Sequence, residues 1–439
     1  MLVGKGQMMS EQLQVFREFS GDYQHIGSLV LNEEKASFTY AESYLDARNA
    51  QGISLCLPLQ EVPFSPEVTR TFFEGLLPEG DFRRALAWTL HLGVDSYSKM
   101  LARLNNESTG ALIFWLGEPS DNSSLLENRS YEFFTSENLE RFSKQPRSVA
   151  LETGMASRLS LAGAQAKLGL YHQGNDPADG WFLPLGSAPS THIVKASDGT
   201  FPHQTVNEAL CLATARYLGF DTAESFLISA SGAEPMLAIK RFDRIVVENA
   251  PVSNGLSIPR RLHQEDFCQA AGLPSFMKYE PTDGRYLNLA AHAIARSVEN
   301  PFGDRMVFFS RVLFDFFIGN CDNHLKNHSF LWSASWRSRE LSPLYDITCT
   351  TFYPELAKEM GVSLSPSRRV DGVTKSDILA SAASVNIDEK LAWLYYEELR
   401  EDFLPALEKA ELELINHGYQ EASLIADFIR KDFIKRLPQ

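Results

Sequence analysis

Short apolar runs separated by polar turns dominate the first quarter of the chain, and this spacing is typical of β-strands. A helical pattern runs from Ser65 to about Leu86, with Pro66 at a first-turn position where proline is well tolerated. The pattern predicts a small α/β subdomain over residues 10–117. The next stretch, 118–154, opens with a cluster of Pro, Asn and Ser and is predicted to be a linker. The strand-like runs are Leu13–Phe19, Gly27–Leu31, Ala36–Tyr40 and Ile53–Leu57.

A second unit is predicted over residues 155–262. Its helix is Val206–Leu218, in which apolar residues recur at helical spacing, and Gly219 follows in the position of a C-terminal helix cap. The strand-like runs of this unit are Leu159–Tyr171, Thr191–Lys195 and Glu234–Phe242.

Helical spacing dominates the third part, residues 263–439. Asp304–Ile318 contains five phenylalanines and predicts a buried helix, and Asp388–Arg436 predicts amphipathic helices. The predicted fold class is therefore α+β, with a small N-terminal α/β subdomain, a strand-rich lobe and a mostly helical C-terminal lobe.

The composition of the chain argues against several classes of protein. A net charge of −15 argues against a surface that coats nucleic acid. The five cysteines are odd in number and form no CxxC pair, so neither a zinc module nor a disulfide framework is predicted. The N-terminal residues lack the apolar core of a signal peptide, and no run approaches the roughly 20 apolar residues of a membrane span. We therefore expect a reduced, cytoplasmic protein that makes no membrane contact.

Three polar residues in the helical part have the order of a phosphoryl-transfer site. Asp322 and Asn327 stand five apart, and Asp346 follows 24 residues after Asp322, beyond two short strand-like runs. A protein-kinase site needs one Asp that accepts the substrate hydroxyl proton, an Asn five residues later for Mg²⁺, and a second Asp beyond a hairpin. The competing interpretation is a solvated turn, because Asp and Asn favour turns for local reasons.

The other parts of a kinase site precede this segment in the expected order. The small-residue loop Ser160–Lys167 would let backbone amides approach phosphates, although an ordinary hairpin would look the same. Lys195 ends a strand and Glu208 follows on the next helix, as in the kinase Lys–Glu pair, although a strand-end lysine in water is the alternative. Leu237–Asp243 falls where an interlobe hinge would pass the adenine. The shared order favours a protein-kinase-like, two-lobed fold.

Several segments together carry a resemblance to a known family: Leu159–Lys167, Thr191–Lys195, Arg241–Arg244, His263–Gln269, Ile318–Asn327, Pro343–Asp346, Met360–Gly361 and, in the first unit, Leu55–Leu59, Phe72–Pro78 and Thr109–Ala111. The chain resembles the HipA toxin kinases, serine/threonine kinases of bacterial toxin–antitoxin modules. The resemblance extends over nearly the whole chain.

The resemblance implies ATP and Mg²⁺ as cofactors and a role for each matching residue. Asp322 would be the catalytic base, Asn327 and Asp346 would bind Mg²⁺, and Ser160 would be a site of inhibitory autophosphorylation. Lys240 departs from the family pattern, in which an acidic residue is expected. The residues implied in ATP binding are Ala162, Gly163, Ala164, Gln165, Ala166, Lys167, Lys195, Lys240, Arg241, Phe242, His324, Lys326 and Tyr345.

The function implied by the resemblance is an active kinase toxin restrained by a small helix-turn-helix antitoxin of the HipB kind. DNA would be contacted only through the antitoxin complex, and aminoacyl-tRNA synthetases would be one class of protein substrate. The alternative is a catalytically weak kinase-like module that serves mainly as a partner in an antitoxin–operator complex.

Two further hypotheses come from the residues themselves. His324 and His328, four apart beside an Asp, would suit metal-dependent hydrolysis if they lay on a helix, but the Asn-rich sequence indicates a loop. Arg368, Arg369 and Lys375 form a basic cluster that would either touch DNA phosphates or form a solvated turn.

Overall fold

The computed structural model of the 439-residue chain describes residues 12–30, 35–104, 107–117, 128–157, 165–174, 176–282 and 284–438. Four predicted site residues lie outside the described residues: Ser160, Ala162, Gly163 and Ala164.

The first unit is built on an antiparallel sheet with four helices. Its strands are β1 (Gln12–Phe19), β2 (Asp22–Val30), β3 (Ser37–Tyr40) and β4 (Leu112–Leu116). The strand order is β3-β2-β1-β4, and six consecutive residues of β1 are buried, so this central strand is covered on both faces. The helices are α1 (Glu42–Leu45), α2 (Pro66–Glu74), α3 (Gly80–Thr89) and α4 (Tyr97–Arg103).

The second unit contains a six-stranded antiparallel sheet. Its strands are β5 (Arg129–Phe134), β6 (Lys167–His172), β7 (Trp181–Gly186), β8 (His192–Lys195), β9 (Ser225–Ile228) and β10 (Met236–Lys240). Its helices are α5 (Ser136–Lys144), α6 (Pro146–Ser157) and α7 (Gln204–Tyr217). The strand order is β5-β7-β6-β8-β10-β9. Every residue of α7 from Thr205 to Ala215 is buried, as expected of a helix covered on all sides.

Short ribbons connect this unit to the helical lobe. They are the pairs β11 (Arg244–Ile245) with β14 (Arg260–Arg261) and β12 (Val252–Ser253) with β13 (Leu256–Ser257), and the three-stranded sheet of β15 (Gln264–Asp266), β16 (Ser329–Trp332) and β17 (Arg339–Leu341). The short 3₁₀ turns are Ser275–Met277, Leu325–Asn327, Thr350–Phe352 and Val370–Gly372.

The C-terminal lobe is mostly helical. Its helices are α8 (Phe267–Ala271), α9 (Tyr286–Ser297), α10 (Pro301–Ile318), α11 (Lys375–Ser384), α12 (Glu389–Asn416) and α13 (Glu421–Arg436). Five of the six phenylalanines of α10, all except the exposed Phe302, are buried in one apolar core that this lobe shares with α7 and the first unit. Within the part of the chain that the structure describes, no helix combines the length and apolar character needed to cross a bilayer.

The architecture agrees with the predicted α+β class, but the first unit differs in two places. The helical pattern from Ser65 to Leu86 is divided into α2 and α3 around Pro78. The predicted strand Ile53–Leu57 is instead a turn held by one phenol. The hydroxyl of Tyr40 accepts from the Ile53 amide at 2.9 Å and donates to the Leu57 carbonyl at 2.6 Å, and it thereby takes the place of strand partners for those groups.

The predicted linker, 118–154, also differs from the structure. Residues 129–154 contain β5, α5 and most of α6, and β5 is an edge strand of the six-stranded sheet. Phe134, Phe142 and Val149 are buried in the core under that sheet. These three apolar residues are widely spaced in a polar sequence, so the sequence alone did not indicate helices or a strand with a buried face. Residues 129–154 therefore belong to the second unit.

Candidate active site

A cavity of about 720 Å³ lies between the six-stranded sheet and the helical lobe. Its walls bring together predicted site residues that are up to 181 positions apart, since Gln165 and Asp346 both line it. Ala166 lies instead in the core beneath the sheet. The predicted residues on the cavity wall are Gln165, Lys167, Lys195, Lys240, Arg241, Phe242, Asp322, His324, Lys326, Asn327, Tyr345 and Asp346.

Lys195, at the end of β8, forms the charged centre of one wall. Its ammonium lies 2.7 and 3.0 Å from the two carboxylate oxygens of Glu208 on α7, and 2.7 Å from Oδ1 of Asp346. Lys195 and Glu208 are buried, whereas the Asp346 side chain is 43% exposed. Burial alone would lower the pKa of Lys195, but the two carboxylates raise it above its ordinary value. The lysine is therefore a fixed positive charge.

Asp346 follows β17 in an unusual backbone conformation. Its φ is +57°, in the left-handed region that Asp tolerates better than most residues do. The chain that leads into this position is fixed two residues earlier, where the amide of Leu344 donates to the Asp221 carbonyl at 2.9 Å. Burial would raise the pKa of Asp346, but Lys195 and Lys167 hold it well below its usual range. A permanently ionised carboxylate thus projects into the cavity from a strained position, as is common at functional sites.

The loop that carries Asp322 is fixed by close backbone packing. Helix α10 ends at Gly319, with φ +75°, where an added Cβ would lie 2.1 Å from Oγ1 of Thr351. Gly361 approaches from the other side, and a Cβ there would lie 2.7 Å from Cα of His324. The Gly361 amide also donates to the Cys321 carbonyl at 3.0 Å. Only glycine permits these contacts, which explains both glycines in physical terms.

Asn327 and Asp322 are joined across the 3₁₀ turn. The Asn327 side-chain amide donates to the backbone carbonyl of Asp322 at 2.8 Å. This bond uses Nδ2, so Oδ1 is the atom of this amide that can act as a metal ligand. The spacing of five residues thus allows this bond across the turn.

The Asp322 carboxylate is 51% exposed and faces two aromatic side chains. The hydroxyl of Tyr279 donates to its Oδ1, and Nε2 of His324 lies 3.9 Å from the same oxygen. Burial lowers the pKa of His324, so its ring is neutral at physiological pH. Tyr279 was not predicted. No local pattern marks it, and it meets Asp322 only through the tertiary fold.

The oxygen ligands in the cavity fit Mg²⁺. The ionised carboxylate of Asp346 and the amide oxygen of Asn327 are hard donors, and Mg²⁺ commonly binds one or two protein oxygens together with phosphates and water. No group of three His, Cys, Asp or Glu side chains within the described ranges is placed to hold a metal ion by itself.

The structure does not support hydrolysis with His324 and His328 as metal ligands. The His328 ring is buried between the rings of Phe267 and Phe308, with centroids 5.9 and 5.0 Å away. Burial and, secondarily, Arg311 lower the pKa of His328 to about 3. The ring is part of the apolar core.

Three predicted nucleotide contacts have other partners for their charged groups. Arg241 makes five hydrogen bonds, which use all five of its N–H donors, so its guanidinium supports the wall and has no donor left for a ligand. The ammonium of Lys326 lies 2.6 Å from Asp266, and that of Lys240 pairs with the exposed Glu224. The backbone amide of Lys240 also donates to the Glu224 carbonyl, at 2.8 Å, so a contact of this residue with adenine would have to use its backbone carbonyl.

Two aromatic residues line the cavity beside the loop that carries Asp322 and Asn327. The ring of Phe242 packs at 5.4 Å from that of Tyr345. The Tyr345 hydroxyl donates to the Lys326 carbonyl at 2.9 Å and lies 2.6 Å from the Ser329 hydroxyl. The planes of the two rings meet at 40°, and together they give this part of the cavity wall an aromatic surface.

The predicted basic cluster is not one surface. Arg369 pairs with Glu359 and Asp371, and the Lys375 ammonium lies 3.9 Å from the centroid of the Trp393 ring. Arg368 donates to the Glu280 carbonyl and lines the cavity. Each of the three charged groups has a partner within the chain, and that of Arg368 is 88 residues away in the sequence. Both interpretations of the cluster stay predictions.

Comparison with known families accounts for most of the chain. Residues 159–406 match the HipA-like C-terminal domain, and residues 20–115 match the HipA N-terminal domain. This chain belongs to the HipA family. The resemblance seen in the sequence is thereby confirmed, and the second match covers the first unit from β2 to β4, with β1 just before it.

Similar proteins extend the comparison. The chain is 32% identical over 329 residues to an inferred kinase of Sinorhizobium fredii, Y4mE, covering 74% of this chain and 75% of that protein. It is 24% identical over 420 residues to the serine/threonine-protein kinase toxin HipA of Shewanella oneidensis, covering 92% of each.

A solved structure confirms the fold. The Shewanella oneidensis HipA structure, determined with HipB and operator DNA, superposes with a TM-score of 0.79 at 21% identity and covers 96% of both chains. The predicted kinase-like α+β fold of this HipA-family chain is therefore confirmed.

Proposed function

We propose that this HipA-family protein is an ATP- and Mg²⁺-dependent serine/threonine protein kinase that acts as the toxin of a toxin–antitoxin module. One observation carries the proposal. Lys195 is held by Glu208 and Asp346 on one side of the cavity whose other side presents Asp322 and Asn327. A protein that served only as a scaffold would need none of these charges at these places.

Each side chain has a distinct task in this proposal. Lys195 binds nucleotide phosphates, and Glu208 keeps its ammonium directed into the cavity. Asp346 and Asn327 would hold Mg²⁺, which when bound neutralises charge on the phosphates. Asp346 lies 2.7 Å from Lys195, so we infer that it would exchange part of this contact for the metal.

Asp322 would act on the protein substrate. A bond forms between the acceptor hydroxyl oxygen and the γ-phosphorus while the bond from that phosphorus to the β,γ-bridging oxygen breaks. The hydroxyl proton passes to the Asp322 carboxylate, and ADP leaves. The exposure of this carboxylate allows a macromolecular acceptor to reach it.

The experiment that tests the kinase proposal compares wild type with Asp322→Asn. Phosphate transfer from radiolabelled ATP to the protein and to dephosphorylated casein should fall by about 10²–10⁴-fold, because the general base is lost. ATP affinity should persist. Asp427→Asn, which removes an exposed carboxylate paired with Arg430, is the matched control. Wild type that binds ATP and transfers no phosphate would favour the binding-module alternative.

The partner proposal rests on family membership and on the acidic charge. The Shewanella oneidensis relative was solved with HipB and operator DNA, and a net charge of −15 makes direct DNA binding unfavourable. We propose a small helix-turn-helix antitoxin as the partner and contact with DNA through that partner. Growth arrest on expression should require Asp322 and should be relieved by the product of an adjacent helix-turn-helix reading frame.

We propose aminoacyl-tRNA synthetases as the first class of protein substrate to assay for phosphorylation by this protein.

We also propose self-inhibition by autophosphorylation at Ser160. A phosphate there would carry nearly two negative charges, would compete with nucleotide phosphates for the backbone amides of the small-residue loop, and would repel the nucleotide. Peptide mapping after incubation with Mg·ATP should find phosphate on Ser160. Ser160→Ala should lack this phosphate and remain active, whereas Ser160→Asp should bind ATP poorly. A phosphorylated Ser160 with undiminished ATP affinity would contradict the mechanism and leave the kinase proposal intact.

A further inference from the structure

Tyr279 lies on a segment that is hydrogen-bonded to the loop that carries Asp322, residues 322–327. The amide of Leu325 donates to the Lys278 carbonyl at 3.1 Å, immediately before Tyr279. The Tyr279 hydroxyl then donates to Oδ1 of Asp322. The segment and the loop are 43 residues apart along the chain, so this contact is a product of the fold.

The ring of Tyr279 is held on two sides. It meets the ring of His324 edge to face, with centroids 5.0 Å apart and planes at 80°, and the Lys278 ammonium lies 5.4 Å from its centroid. Burial, and then the charge of Asp322, raises the pKa of Tyr279 above its ordinary value. The phenol therefore remains a proton donor throughout the range in which the protein would work.

The Asp322 side chain needs such a partner. It is half exposed on a loop, and an unrestrained carboxylate in this position would populate several rotamers. A bond to Oδ1 selects one of them and leaves Oδ2 for the hydroxyl of the acceptor. His324, 3.9 Å from Oδ1, is too distant for a hydrogen bond in this structure.

We propose that Tyr279 is a positioning residue for phosphoryl transfer: its hydroxyl fixes the Asp322 carboxylate so that Oδ2 faces the acceptor hydroxyl. This inference rests on the proposed kinase function. It assigns Tyr279 no proton transfer and no contact with ATP. The expected effect of its loss is therefore on the rate of transfer and not on nucleotide affinity.

The test compares Tyr279→Phe with Tyr286→Phe. The first removes only the hydroxyl and keeps the ring that packs on His324. The second removes a hydroxyl from the same region, where it donates to the Met277 carbonyl and does not touch Asp322. With Mg·ATP and dephosphorylated casein, Tyr279→Phe should lower kcat by about tenfold with KM for ATP within about twofold of wild type. Tyr286→Phe should keep the wild-type kcat.

A double-mutant cycle separates positioning from general damage. In the Asp322→Asn background, adding Tyr279→Phe should produce no further loss, because the group that it positions is already gone. Wild-type or increased kcat in Tyr279→Phe, an equal loss in Tyr286→Phe, or additive losses in the cycle would overturn the inference while leaving the kinase proposal standing. Wild type that neither phosphorylates casein or itself nor hydrolyses ATP would overturn both.

Discussion

Lys167 and Lys195 lie directly opposite each other on the antiparallel strands β6 and β8. Like charges in this relationship ordinarily destabilise a sheet. Burial and, secondarily, Lys195 lower the pKa of Lys167 to about 8, whereas Asp346 and Glu208 outweigh burial and raise that of Lys195. Two amines in different electrostatic environments thus converge on one cavity. Such a pair suits a polyanionic ligand, which would relieve the repulsion between them.

The first prediction concerns the partner of Lys195. Glu208→Gln should lower phosphoryl transfer by about 100-fold, because Lys195 then pairs with Asp346 alone and withholds that carboxylate from Mg²⁺. Initial rates with Mg·ATP measure the effect. Glu224→Gln removes a carboxylate from the exposed Lys240 pair and should leave the rate unchanged. Equal rates for Glu208→Gln and wild type would remove this ion pair from the mechanism.

The second prediction concerns the proposed metal ligand. Asp346→Ala should weaken Mg·ATP binding by about tenfold or more, because an anionic oxygen ligand is lost. Asp346→Asn is the better-matched change, since Asn tolerates the positive φ at this position. Both variants should bind ATP without Mg²⁺ about as well as wild type does. Calorimetric titration measures the ATP affinity of each variant with and without Mg²⁺. Unchanged Mg·ATP affinity in both variants would mean that Asp346 is not a metal ligand.

The third prediction concerns a buried charge cluster between the first unit and the second. Glu107 is 2% exposed and lies 2.6, 3.1 and 2.9 Å from the guanidinium groups of Arg241, Arg244 and Arg261. Burial would raise the pKa of Glu107, but the three arginines lower it to about 2. Glu107→Gln should reduce the free energy of unfolding by about 3–5 kcal/mol, because it leaves buried positive charge uncompensated.

Denaturant unfolding measures this effect, with the exposed Glu224→Gln as the control at less than about 1 kcal/mol. Comparable losses in the two variants would mean that the cluster does not join the two units. The cluster also accounts for the Arg241–Arg244 motif in structural terms, since Arg241 directs all its donors into it and none into the cavity.

The sequence predicted those parts of the site that depend on short-range spacing and periodicity. Lys195 at a strand end, Glu208 on the next helix and the Asp322–Asn327 spacing depend on periodicity within short segments, and each lies on the cavity wall. Their individual roles stay predictions. The helical lobe was predictable for the same reason, because its apolar residues recur over long stretches.

Contacts between distant segments were not predictable in this way. Tyr279 meets Asp322, and Glu107 meets Arg241 from 134 residues away, through tertiary packing that leaves no periodic trace. Lys326 looked like a cation for the nucleotide until the fold placed Asp266 at 2.6 Å from it. A charged residue in a motif can indicate where a site lies. Its ion-pair partner comes from a distant part of the chain and was therefore not predicted.

The last prediction concerns the pH dependence of stability and involves Glu265 on β15. This side chain is fully buried, and its two oxygens accept weakly from the Leu55 amide, each at 3.3 Å. Burial raises the pKa of Glu265 to about 8, and Asp266 adds to this, while the Ser54 hydroxyl, Arg339 and the Leu55 amide oppose it. The carboxyl is therefore neutral in the folded protein at pH 7.

The unfolded chain ionises Glu265 above about pH 4.5, whereas the folded protein retains the proton up to about pH 8. Between these values the folded state binds more protons, so this group makes wild type less stable as pH rises. Glu265→Gln mimics the neutral acid and lacks that titration. It should match wild type at pH 5 and exceed its stability at pH 8.5 by up to about 4 kcal/mol. Glu340→Gln, an exposed carboxylate on β17, is the control and should show no such trend. Denaturant unfolding at pH 5, 6.5 and 8.5 would measure the difference, and a pH-independent difference between Glu265→Gln and wild type would show that Glu265 is ionised in the folded protein.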